Sequence, residues 1–240
     1  ATPFGGIALV QSLAGGGLGM LGKFRFADGM QVSHIAATAL APTSFAVGFR
    51  VLPDPAMQVG QPSRELSVAW VGMQDNELVV DPRPLALEPN RSGMQARSLA
   101  LVSQNLFAYS YESGLQRQVK VAIVRVDPVT HRMTLAGGPE VVARGRVAYV
   151  QSLSLPAGPT SPKTFTYLQH PGGNGIGKVC GISAAGGISS CKEVAWADTE
   201  LKAVSGSRLP DGRLAFAFAN VAGEPFFQLL SAEEGGAQAV

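Results

Sequence analysis

Residues 97–142 read RSLALVSQNLFAYSYESGLQRQVKVAIVRVDPVTHRMTLAGGPEVV, and their pattern decides the fold. Arg97–Ser103 and Leu106–Glu112 have the composition of strands and flank a two-residue turn, Gln104-Asn105. Gln118–Asp127 forms a third strand, Pro128–His131 a turn, and Met133–Val142 a fourth strand. Alternating residues point to opposite faces of a strand, so a segment such as LFAYSYE meets two different environments. The segment as a whole is an up-and-down meander of four strands.

The same layout occurs on both sides. Upstream, the strands are His34–Leu40, Ser44–Val51, Arg64–Met73 and Glu77–Leu87. Downstream they are Arg146–Leu155, Lys163–His170, Gly177–Ser183 and Ile188–Ala197. A last set runs through Leu201–Ser207, Arg213–Val221 and Pro225–Ala232. At the N-terminus, Gly6–Leu13 and Leu21–Ala27 read as a third and a fourth strand with no inner pair. Repeated four-stranded meanders of about 50 residues are the signature of β-propeller blades. The expected fold is therefore all-β, a β-propeller of four-stranded antiparallel blades. Complete blades are expected at about 30–92, 93–145 and 146–199, with partial blades at 1–29 and 200–240. Two arrangements fit these ends: a ring closed within the chain, or a fragment of a longer propeller.

Composition agrees. Of 240 residues, 46% are hydrophobic and 15% charged, with 29 Gly and 16 Pro, which suits short strands and tight turns and argues against disorder. The formal net charge is +2, and the 19 Lys and Arg are dispersed, which argues against a dedicated nucleic-acid binder. No apolar run approaches the ~18 residues that span a membrane as a helix. The chain starts at Ala1 without Met, which reads as processing or truncation.

The second strands, Phe45–Phe49, Phe107–Tyr111 and Phe165–Tyr167, resemble the aromatic inner strands of FG-GAP and VCBS-like extracellular propeller repeats. The resemblance covers nearly the whole chain and implies an interaction module, since such families include lectins, adhesion domains and subunits of assemblies. The Asp-rich calcium loop of those blades is missing, so calcium is not carried over. WD dipeptides and kelch glycine pairs are missing too.

Candidate chemistry is sparse. Gly17, Gly19 and Gly22 match G-x-G-x-x-G, but the alternating Lys23–Phe26 that follows is strand-like, and no acidic residue lies about 20 positions on. A turn is expected there, and no cofactor. His34, His131 and His170 fall in different blades without metal-ligand spacing. Asp75 with Glu77, and Glu233 with Glu234, read as solvated turns; no catalytic residue is assigned.

Cys180 and Cys191 are the sharpest signal. With Ala184–Gly187 as a hairpin tip, pairing Ser183 with Ile188 sets Cys180 opposite Cys191, within disulfide range; the alternative is two buried thiols. Asn90-Arg-Ser92 is a glycosylation sequon, so Asn90 is a candidate acceptor. Both features point to a secreted, cell-surface or organelle-lumen protein. Trp70, Trp196, Arg50 and Arg213 are candidates for a ligand or partner surface, with inter-blade packing and solvated strand ends as the competing readings. The expected function is non-enzymatic: a module that binds another macromolecule, most readily a protein, within a larger assembly. A carbohydrate-binding propeller lectin and a propeller glycoside hydrolase are the alternatives.

Overall fold

The computed structural model describes residues 5–12, 18–26, 31–52, 66–74, 77–81, 83–88, 95–113, 117–145, 147, 149–155, 163–169, 173–233 and 236–239. These residues build an all-β protein of antiparallel sheets. The strands are β1 Gly5–Ser12, β2 Leu18–Phe26, β3 Gln31–Ala41, β4 Ser44–Leu52, β5 Leu66–Gln74, β6 Glu77–Val80 and β7 Leu85–Glu88. Next come β8 Gln95–Ser103, β9 Leu106–Ser113, β10 Gln118–Val126 and β11 Met133–Arg144. The last are β12 Tyr149–Leu155, β13 Lys163–Gln169, β14 Asn174–Ile182, β15 Ile188–Arg208, β16 Leu214–Asn220, β17 Pro225–Glu233 and β18 Gly236–Ala239.

Residues 95–144 form the expected meander, in the order β11-β10-β9-β8. The first sheet is β3-β4-β5, with β5 pairing both β6 and β7 on its outer side. β1 and β2 form a two-stranded hairpin. Gly19 and Gly22 lie inside β2, opposite Gln11 and Leu9, so they belong to a strand rather than to a turn. Gly17 lies outside the described residues.

Two boundaries differ from expectation. The fourth strand Glu77–Leu87 is split into β6 and β7 at Asp81-Pro82-Arg83-Pro84. Proline has no N–H to give to a ladder, so a sequence with two of them cannot continue it. Asp81 takes over locally: its N–H donates to the Trp70 carbonyl at 3.0 Å, and its carboxylate accepts from the Arg83 N–H at 3.0 Å. The other difference lies near residue 200. Ile188–Ala197 and Leu201–Ser207 are one 21-residue strand, β15. Its first half pairs β14 and its second half pairs β16, which fuses two meanders into a seven-stranded sheet. No Gly or Pro interrupts Ile188–Ser205, whereas Gly or Pro stands at each earlier junction. The last meander also gains a short outer strand, β18.

The central strands β9 and β10 of the second sheet are buried on both faces, while β11 is largely exposed. Phe107, Tyr109 and Tyr111 of β9 pack with Ala46, Val68, Trp70 and Leu99, toward the first sheet. Leu106 and Ala108, one residue out of phase, pack with Val150, Cys180 and Ile182 of the following sheet. A further core gathers Trp196, Leu201, Phe216, Phe218 and Leu230 around β15.

Close approach of the first two sheets depends on Gly48. A Cβ there would sit 2.6 Å from Tyr109 Cζ and 2.9 Å from Leu99 Cδ1. Tyr109 is fully buried and has no room to yield. Gly48→Ala is therefore expected to destabilise the fold by about 1–3 kcal/mol through overpacking. Urea denaturation checks this, and a midpoint equal to wild type would contradict the contact.

The inner strands of successive sheets lie side by side: β3 against β8, β8 against β12, and β12 against β15. Polar contacts join neighbouring sheets, three of them across 54 or 55 residues. The Ser98 hydroxyl donates to the Ser152 carbonyl at 3.4 Å, 54 residues on, and the Ser110 and Ser152 hydroxyls bond each other. Gln151 donates to the Gly206 carbonyl at 3.1 Å, 55 residues on, and Arg208 to the Ser154 hydroxyl at 3.4 Å across 54 residues.

Candidate functional site

A groove opens where the turns of the first two sheets meet. Its inner half, about 240 Å³, lies between the β3–β4 turn, β5 and the β10–β11 turn, and is lined by Leu40, Trp70, Met73 and His131. Its outer half, about 560 Å³, is lined by Arg83, Arg125, Arg132, Asp127 and Thr130. Asn105, Val126 and Pro128 line both halves. The outer half by itself falls within the size range of pre-formed ligand sites.

The β10–β11 turn organises the groove. Asp127 Oδ1 accepts the Val129 N–H at 2.9 Å and the Thr130 N–H at 2.7 Å, while the His131 N–H donates to the Asp127 carbonyl at 2.9 Å. This closed turn holds His131 at φ +58°, in the left-handed region. The imidazole then stacks on the Trp70 indole with ring centroids 3.9 Å apart and planes within 5°. Val126 N–H donates to the Asn105 carbonyl at 2.9 Å, which ties the β8–β9 turn to the same unit.

The Asp81 carboxylate stands beside Arg83, and the lining of the outer half itself holds three guanidiniums and one carboxylate. That carboxylate, Asp127, is turned to local use, since its oxygen caps the backbone N–H groups of its own turn. Arg83 lies 3.9 Å from Asp81 and is largely exposed. Arg125 donates to the Ala184 carbonyl at 3.0 Å, which braces the groove against the β14–β15 hairpin tip.

Bonds from the Thr130 and then the Val129 N–H hold the Asp127 carboxyl below its ordinary range. A depressed folded-state pKa stabilises the turn above the unfolded value and loses that stabilisation as pH falls through the folded value. Acidification below about pH 4 is thus expected to loosen the turn and separate His131 from Trp70. NMR of the His131 ring protons, shifted by the indole, reads this directly. The same acid step persisting in Asp127→Asn would contradict the assignment.

The candidates named from sequence are scattered. Trp70 is in the groove, but as a wall, only 5% exposed and covered by His131. Trp196 is 2% exposed in a different core, stacked on Phe216 at 4.7 Å. Neither ring offers an open face for a sugar. Arg50 lies near the end of β4 remote from the β3–β4 turn, paired in register with Leu66. Arg213 follows the β15–β16 turn, in an ion pair with Asp211 at 2.7 Å. The Asp211 bond raises the arginine's pKa, and the guanidinium lowers that of the aspartate. Asn90, His170, Asp75 and Glu234 lie outside the described residues, and His34 sits within β3, at a register shift. Among the described residues, no group of three or more His, Cys, Asp or Glu is placed to hold a metal ion.

The disulfide is present between Cys180 and Cys191, directly paired with Cα atoms 4.2 Å apart. The tip differs from the expected register. Ile182 pairs Ile188 after a register shift, and the Ser183 N–H donates to Gly187 instead. A bulge on β15 restores the cysteine pairing. No helix of the described residues is long and apolar enough to cross a membrane.

Sequence reading missed Arg83, Arg125 and Arg132. The Asp-Pro-Arg-Pro break was the available signal for Arg83; Arg125 and Arg132 carried none beyond ordinary solvent-facing charge. No protein-family model matches the chain, and no curated protein matches it.

Proposed function

We propose that this chain is a β-propeller module whose blades are the antiparallel sheets, and that it binds another macromolecule through the groove between the first two. The propeller reading is supported by the inner strands, which meet their equivalents one repeat away. The observation that carries the function is the groove itself, pre-formed across two sheets and edged with arginines. The use of its polar groups favours a binding reading: Asp127 caps its own turn and His131 is stacked on Trp70. The disulfide fits an oxidising setting, so the proposed location is extracellular, cell-surface or luminal.

The test compares capture from an extracellular fraction by wild type, Arg132→Glu and Lys202→Glu. Lys202 is exposed on β15, outside the groove. A partner retained by wild type and Lys202→Glu but lost by Arg132→Glu supports the reading. Equal retention by all three places the interface elsewhere.

A further inference from the structure

We infer that the groove takes an acidic peptide segment that carries one apolar anchor side chain. The inference rests on the groove being the binding site proposed above, and adds the chemical class of the ligand.

The two halves of the groove make different demands. Arg83, Arg125 and Arg132 edge the outer half and outnumber the two carboxylates near them, Asp127 and Asp81. Guanidiniums pair carboxylates through parallel N–H donors, which gives orientation as well as attraction. The inner half is bounded by Leu40, Met73 and Val126 beside the Trp70–His131 stack, together with the hydroxyl residues Thr43 and Ser44. Methionine adapts to the shape of an apolar insert. Asn105 lines both halves, and its amide offers a donor and an acceptor to a peptide unit crossing between them. A carboxylate-rich chain with one apolar side chain satisfies both halves together.

An acidic polysaccharide meets only the first demand. Sugar rings gain most from stacking on open aromatic faces, and the Trp70 face is occupied by His131. Leu40 and Met73 of the inner half would then stay uncovered.

Fluorescence anisotropy with a labelled peptide EEDSFEED is the direct test. Saturable binding is expected that weakens steeply with salt. Arg132→Glu and Arg83→Gln should each weaken it, on the order of tenfold for the charge reversal and less for the neutral change. Lys202→Glu should leave it unchanged. The matched peptide EEDSSEED, without the anchor, should bind at least about fivefold more weakly. Both arginines are exposed, so folded variants are expected, and circular dichroism confirms this. No saturable binding of EEDSFEED, or binding indifferent to both arginine changes, overturns the inference. Heparin binding that is lost in Arg132→Glu while the peptide fails makes the ligand an acidic polysaccharide. That outcome overturns the inference and leaves the binding-module reading standing.

Discussion

Phe107→Ala should lower the free energy of unfolding by about 3–5 kcal/mol, the cost of removing a fully buried aromatic from a core that cannot collapse around it. Phe107 sits on β9 opposite Leu101 on one side and Val124 on the other, and packs into the core shared by the first two sheets. Both walls are hydrogen-bonded sheets, so neither moves in to fill the gap. Urea denaturation measures the loss, and a value under about 1 kcal/mol would contradict face-to-face packing of these sheets. Tyr109 gives the contrasting case two residues along. Its ring is equally buried, but its hydroxyl has no hydrogen-bond partner among the described residues, and burial, with Tyr111 nearby, holds its pKa well above the ordinary value. Tyr109→Phe removes a desolvated hydroxyl and keeps the ring. It should therefore be neutral or stabilising by up to about 1–2 kcal/mol.

Loss of the Cys180–Cys191 bond is the second large effect. The bridge closes a loop of sequence separation 11, for which chain entropy gives about 2–3 kcal/mol of stabilisation. The hairpin tip it secures is packed in place: Gly186 rests against Ala136 and Gly137 of β11, and the Ala184 carbonyl accepts from Arg125. Cys180→Ala with Cys191→Ala should reduce stability by about that amount. It should also loosen the Arg125 side of the groove, so binding of an acidic peptide weakens although no groove residue has changed. Intact mass before and after reduction verifies the bond, through a gain of two hydrogen atoms. A double variant as stable as wild type would show that the hairpin ladder alone holds the tip.

The all-β fold was legible because it rests on local rules. LFAYSYE alternates, and its two phases are buried against two different sheets. The turns at Gln104-Asn105 and Pro128–His131 stand where Asn and Pro put them. The cysteine pairing followed from strand register, although the tip reaches it through a bulge that sequence did not reveal. The change of partner near residue 200 falls where the two strand patterns meet, between Glu200 and Leu201, but the strand runs on through it because no Gly or Pro breaks the chain there.

The groove belongs to the tertiary structure. Arg83 comes from a proline break in the outer edge of one sheet, and Arg125 and Arg132 from the turn end of the next. Nothing in the spacing of these residues sets them side by side; the stacking of one sheet on another does. Trp70 shows the same division. Its place in a third strand was readable from sequence, but whether its indole faced a ligand or a neighbour depended on the Asp127 turn. That turn sets His131 on the ring and leaves the arginines to face solvent, because strand patterns fix which face a side chain takes and only packing fixes what lies opposite.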